Sequence, residues 1–191
     1  AIRYLKCSKI GKHFERWFIT TPITKPGEKF RATLVHGYTR FWAKYPKPEP
    51  APLHDCEKLL ECLWKYLDEG RMPILNCTPS GALELSRRSL AAGRPLDGVY
   101  FLLGAEPLST ARLDGITASG ATVIPTYGTS EGGWIGAQFP GSEHADEVCI
   151  FRDAYAVIPS SEKIDVSNLT TSPTPLLLTN LRPAAPKVLI N

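Results

Sequence analysis

Residues 73–80 read PILNCTPS. Pro73-Ile74-Leu75-Asn76-Cys77 is a short apolar run, the length of a buried strand and not of a helix. Thr78-Pro79 follows at once. The threonine offers a hydroxyl for an N-cap, and the proline suits the first helical position because its N–H would have no partner there. Strand followed by helix is therefore legible in eight residues. The helix continues to about Ala92 and is stopped by Gly93.

The same grammar extends in both directions. Upstream, Asp55 caps a predicted helix running to about Leu67, with Leu59, Leu60, Leu63, Trp64 and Leu67 on one stripe and Gly70 at its end. Downstream, Val99-Tyr100-Phe101-Leu102-Leu103 is a near-continuous apolar run, as expected of a strand covered on both faces. A helix is predicted from Ser109 to about Ala118, with Gly120 beyond it, and Ala121–Ile124 is a third strand. Strands and helices alternating through short loops imply parallel neighbours and right-handed crossovers. The expected class is α/β, a mostly parallel sheet flanked by helices. After Gly133 the signals change to short strands at Trp134–Phe139, Val148–Phe151, Tyr155–Ile158 and Pro175–Thr179, with a Ser-, Thr- and Pro-rich loop over Pro159–Pro173. Three parts follow: a basic N-terminal segment with a proline-rich connector (1–52), a parallel α/β subdomain (53–140) and a strand-rich C-terminal part (141–191).

Composition narrows the function classes. The chain has 191 residues, 43% of them hydrophobic, enough for a packed core. A net charge of +3, from 22 basic and 19 acidic side chains, gives no reason to expect nucleic acid as a partner. No apolar run has membrane-spanning length, and no signal peptide opens the chain. Cys7, Cys56, Cys62, Cys77 and Cys149 are scattered without a CxxC, which argues against a disulfide framework or zinc site and fits a cytoplasmic location. Arg3, Lys6, Lys9, Lys12 and Arg16 recur near the start, either as a solvated face or as a phosphate or partner patch. The stretch Tyr45–Pro52, with four prolines, cannot form a helix or a central strand and is expected to be a connector.

Two glycine-containing loops occupy equivalent places, each after a predicted parallel strand. They are Gly104-Ala105-Glu106-Pro107 and Tyr127-Gly128-Thr129-Ser130-Glu131-Gly132-Gly133. Open α/β sheets bind ligands beyond the carboxyl ends of their strands. In the second loop Gly128 allows close backbone approach, and Thr129 and Ser130 offer hydroxyls to a phosphate. Glu131 would repel a bare phosphate but suits one shared with Mg²⁺. Tyr127 offers a flat face or a hydroxyl to a base or ribose. A Mg²⁺-nucleotide site and an ordinary turn with a solvated Glu131 both fit this spacing, since neither GxxxxGK[ST] nor GxGxxG is present.

Three segments in order shift the balance: Thr78-Pro79-Ser80 before a helix, Gly104-Ala105-Glu106-Pro107-Leu108, and Tyr127-Gly128-Thr129-Ser130-Glu131. Together they resemble the adenylate-forming enzymes, most closely the phenylacetate–CoA ligase-like branch with its TPS, GAEP and YGxTE segments. Ser130 stands where that branch usually has threonine. The tail from Leu178 to Asn191 is similar to the approach to the family's ribose-binding aspartate. The resemblance spans roughly Thr78–Asn191.

The resemblance implies that a carboxylate attacks the α-phosphate of ATP, giving an acyl-adenylate and pyrophosphate, after which a thiol, usually coenzyme A, takes the acyl group. By the matched positions, Gly104, Ala105, Glu106, Pro107 and Tyr127 line the adenine pocket, with Gly128 and Thr129 in the same ATP-binding segment. Ser130 bonds the α-phosphate and Glu131 holds Mg²⁺; these two are the expected catalytic residues. Tyr100 and Trp134 either wall the acyl pocket or belong to the core, and His36 either faces the acyl substrate or is structural. The phosphate loop, the ribose aspartate and the C-terminal lysine domain have no counterpart, so the resemblance implies an internal piece of a longer enzyme, inactive alone. The initial Ala1 fits that expectation. The implied partners are ATP and a carboxylic acid, aryl acids included, and a homo-oligomer is an allowed assembly. A non-catalytic nucleotide-binding or scaffold domain that kept the fold is the alternative, and an adenylylating enzyme acting on a cofactor is a third reading.

Overall fold

Three side-chain caps start three helices. Asp55 accepts from the Lys58 amide (3.2 Å) and opens α1, Cys56–Asp68. Thr78 accepts from the Gly81 amide (3.2 Å), with Pro79 as the first residue of α2, Pro79–Ala91. Ser109 accepts from the Arg112 amide (3.4 Å) and opens α3, Thr110–Thr117. Each such cap stabilises a helix by about 1 kcal/mol. Gly70 and Gly93 terminate the first two at φ +70° and +66°, a conformation in which a β-carbon is costly.

In a computed structural model of the chain, the described residues are 14–20, 49–51, 55–129, 133–138, 144, 147–161, 174–181 and 188–190. The strands are β1 (Phe14–Thr20), β2 (Glu49–Ala51), β3 (Met72–Cys77), β4 (Tyr100–Leu103), β5 (Thr122–Thr129), β6 (Gly133–Ala137), β7 (Cys149–Ile150), β8 (Tyr155–Pro159), β9 (Leu176–Asn180) and β10 (Val188–Ile190). One sheet has the order β2-β1-β3-β4-β5-β6-β7, and a second has the order β10-β9-β8. The first five strands of the larger sheet run parallel. Strands β6 and β7 join antiparallel, as do all pairs of the small sheet. The α/β class with a mostly parallel sheet, helices and further short strands is thus observed.

Two elements correct the sequence reading. Strand β1 lies between β2 and β3, in a stretch for which the sequence suggested only a basic segment. Part of the proline-rich connector is strand β2. It sits at the edge of the sheet, the position that a proline permits.

Each step from β2 to β3, β3 to β4 and β4 to β5 moves the same way across the sheet. Right-handed crossovers then put the intervening helices on one face. The core agrees: Leu59, Leu60 and Leu63 of α1, Ala82 and Leu85 of α2 and Ile116 of α3 pack with Leu75, Cys77, Phe101 and Leu103. The alternate residues Ile74, Leu102 and Ile124 form a second cluster with Ala137 on the opposite face, and Tyr100, Trp134 and Phe151 pack against it. Strands β3 and β4 are buried on both sides, which explains the apolar run of β4 and the apolar Pro73–Leu75 of β3.

Strand β5 changes partners midway. Thr122–Pro125 pair parallel with Tyr100–Leu103, whereas Thr126–Thr129 pair antiparallel with β6. It therefore outruns β4 by four residues and forms a hairpin with β6.

Candidate functional site

Strands β3 and β4 end side by side, at Cys77 and Leu103, and β5 runs on past them along the same edge of the sheet. After β4, the Gly104 amide donates to the Cys77 carbonyl (3.3 Å) of β3. On the other side Gly104 faces β5 so closely that a β-carbon built on it would lie 2.8 Å from Thr126 Oγ1. That hydroxyl donates to the Leu103 carbonyl (2.8 Å). The turn from β4 is thus fitted between its two neighbours.

Ala105 follows at φ +70° and is the one non-glycine residue at positive φ among those described. The left-handed conformation costs an L-residue about 1–2 kcal/mol and persists only where the surroundings impose it. It turns the chain so that Glu106 reaches back to the start of α2. Glu106 Oε2 accepts from the Ser80 amide (3.1 Å) and the Ser80 hydroxyl (2.5 Å). Arg112 Nη1 lies 3.5 Å from the same oxygen and donates to the Pro107 carbonyl (2.9 Å). The helix end that holds this carboxylate belongs to the preceding helix, not to α3, which follows it.

The electrostatics agree with the geometry. Ser80's hydroxyl, more than any other group, holds the Glu106 carboxyl below the usual glutamate range. Burial opposes this, while the Ser80 amide, the Thr78 hydroxyl and the Arg112 charge assist it. Beneath the loop, burial pushes the Cys77 thiol far up, and the Glu106 charge adds to this. A thiol that stays protonated is no nucleophile.

Tyr127, 40% exposed, stands at the same edge, as do the exposed Ala105, Pro107 and Gly128. Gly128 does allow a close approach, but its described neighbour is protein. A β-carbon there would meet the Gly133 carbonyl oxygen of β6 at 2.5 Å. Tyr127, Gly128 and Thr129, expected in a loop, are strand residues of the β5–β6 hairpin. Ser130, Glu131 and Gly132, which connect the two strands, lie outside the described residues, as do His36 and Asn191. Tyr100 and Trp134 both pack against the second core cluster.

The structure brings Gly104, Ala105, Glu106, Pro107, Tyr127, Gly128 and Thr129 to adjoining strand ends. The sequence reading gave no part to Thr126 or Arg112. Thr126 carried a signal only as one more hydroxyl beside Tyr127, and Arg112 carried none. Among the described residues no group of three or more His, Cys, Asp or Glu side chains could hold a metal ion, and no helix is long and apolar enough to cross a membrane.

No family model and no curated protein matches the sequence. Solved structures do match. VinN in complex with L-aspartate is 20% identical, with a TM-score of 0.54, covering 90% of this chain and 41% of VinN. A mutant of the amide bond synthetase Mcba from Marinactinospora thermotolerans is 16% identical, with a TM-score of 0.56, over 92% of this chain and 35% of that one. The luciferase-like enzyme of the nonluminescent mealworm Zophobas morio is 15% identical, with a TM-score of 0.53, over 94% and 42%. At these identities the likeness is one of fold. The chain spans about two-fifths of the length of these structures.

Proposed function

We propose that this chain is part of an AMP-forming, adenylating enzyme, one that activates a carboxylic acid as its acyl-adenylate at the expense of ATP. One observation carries the reading. The GAEP segment and the Tyr127 strand, 20 or so residues apart in sequence, are interlocked through Gly104 and Thr126 at the ligand-binding edge of a parallel sheet. The shared fold with an amide bond synthetase fits this chemistry, since joining a carboxylic acid to an amine requires an activated carboxyl.

The residues present suit a nucleobase. An exposed alanine at positive φ and a partly exposed tyrosine offer surface for a flat ring at the carboxyl-terminal edge of the sheet. When bound, Mg²⁺-ATP supplies the adenylyl group and an electrophilic α-phosphorus. Tyr127 and the Gly104–Pro107 backbone would bind the base and set its orientation. Thr129 and Ser130 would offer hydroxyls to the phosphates. Glu131 would hold Mg²⁺, which offsets phosphate charge as the carboxylate approaches.

If the resemblance of the TPS, GAEP and YGTSE segments to the phenylacetate–CoA ligase-like branch extends to specificity, the acid is an aryl or acyl acid and the acceptor thiol is coenzyme A. On this reading the chain carries the base-binding and metal-binding segments of the site. The deciding experiment is pyrophosphate exchange by the gene's full-length product across a panel of aryl and acyl acids, followed by coenzyme A. Acid-dependent exchange is the expected result. Silence with every acid, in a folded protein that still binds ATP, would favour the non-catalytic nucleotide-binding domain.

A further inference from the structure

The Gly104–Pro107 loop is braced from both sides. Gly104 is pressed against Thr126 of β5. Glu106 crosses to α2, where Ser80 donates to it through both its amide and its hydroxyl. Arg112 closes the arrangement from α3, 3.5 Å from the Glu106 carboxylate and bonded to the Pro107 carbonyl. Between these anchors stands Ala105, exposed and at φ +70°.

Two features decide what Glu106 does. Its carboxylate accepts from a helix-terminal amide and a hydroxyl and lies beside a guanidinium, so it is directed at the scaffold. Moreover, the strained Ala105 needs neighbours that over-determine it. Anchors immediately before and after it meet that need.

We propose that Glu106 is a positioning residue and not a contact to the base: with Ser80 and Arg112 it forms a brace that fixes Ala105 beside Tyr127 as the rim on which a planar nucleobase is laid. The proposal rests on the nucleotide reading above for its ligand, but the brace itself is a property of this chain. Ser80 and Glu106 then act through one another. With Glu106 gone the Ser80 hydroxyl has nothing to hold, so removing both should cost no more than removing Glu106 alone.

The test is a double-mutant cycle in the gene's full-length product with Ser80→Ala, Glu106→Ala and the pair, reading KM for ATP and kcat in pyrophosphate exchange. Glu106→Ala should raise KM about tenfold with kcat within about twofold, Ser80→Ala, which leaves the Ser80 amide and Arg112 in place, should raise it less, and the pair should raise it no more than Glu106→Ala. Ser80→Thr keeps the hydroxyl and should restore KM. Additive effects would show that Glu106 touches the nucleotide independently, and would overturn the proposal. Failure of Ser80→Thr to restore KM, where Ser80→Ala raises it, would count against the hydroxyl bond as the link. A second readout keeps the brace separable from the enzymatic reading. In the 191-residue chain, the Ala105 amide resonance should shift in both single variants. If it shifts while the parent enzyme shows no nucleotide-dependent turnover, the brace stands and the adenylating function falls. If it stays in place in both, the brace is wrong.

Discussion

Gly104 and Thr126 meet across two adjacent strand ends with no room for one further carbon: a β-carbon on Gly104 would sit 2.8 Å from the Thr126 hydroxyl oxygen. That hydroxyl is held by its bond to the Leu103 carbonyl, so it cannot turn aside without losing a partner. Gly104→Ala should therefore destabilise the chain by about 1–3 kcal/mol, the usual cost of overpacking. Thr126→Ala removes the obstructing oxygen, and the double variant should recover part of the loss. Chemical denaturation of both singles and the double measures this directly; a fully additive double would remove the steric account.

Gly128 poses the same problem with less scope for relief. The atom in the way is the Gly133 carbonyl oxygen, 2.5 Å from a β-carbon, and a backbone atom cannot rotate aside. Gly128→Ala should open the β5–β6 hairpin and cost more than Gly70→Ala, where nothing lies within 4 Å and only the positive φ is penalised. The control should lose about 1 kcal/mol. Equal losses in the two variants would mean that the hairpin yields easily.

Acid should weaken the brace at Glu106. Its carboxyl is held below the usual range, chiefly by the Ser80 hydroxyl, so the ionised form is favoured in the folded chain. A lowered folded pKa contributes stability that is fully present above the unfolded pKa, near 4.3 for glutamate, and is lost as the pH falls through the folded value. The stability difference between the parent chain and Glu106→Gln should thus be constant from pH 7 down to about 5 and shrink below about pH 4.3. Calorimetric melting at a series of pH values tests the sign. A difference that grows on acidification would reverse the assignment.

Glu131→Gln tests the metal role. The substitution keeps shape and removes charge. In the full-length product it should slow adenylation by about 10²–10³-fold, the usual loss when one preorganised electrostatic contact is removed. Stability should stay within about 0.5 kcal/mol if the charge serves the metal and not the fold. Rate and thermal midpoint measured side by side decide the matter. Near-normal rates, or a loss of activity that merely follows unfolding, would exclude Glu131 as the ligand.

Local signals were legible and distant ones were not. Asp55 and Thr78 were readable as caps because capping lies within four residues, and both bond as their spacing implied; Ser109, read as the first residue of its helix, is the cap. Strand β1 was hidden. Phe14–Thr20 lacks a clean alternation, and its ladder is with β3, far along the chain. The end of β5 was placed too early, at Ile124. The hairpin with β6 carries the strand on through Pro125 and Gly128, and the Pro125 carbonyl accepts from the Gln138 amide (2.9 Å). At the site, GAEP was visible as a motif, but the partner of Glu106 was not. Ser80 lies 26 residues earlier, and only the adjacency of β3 and β4 brings it near.

The place of β2 bears on how the protein avoids fibrous association. Sheets grow by recruiting a strand from another chain at an open edge. Here one end of the large sheet is a three-residue strand with Pro50 at its centre, so an incoming strand finds no N–H at that residue. The opposite end is β7, two residues long. Between these blunt ends lie strands buried on both faces and rich in apolar side chains, the kind that would stack most readily if exposed. Pro50 thus guards the margin of the sheet.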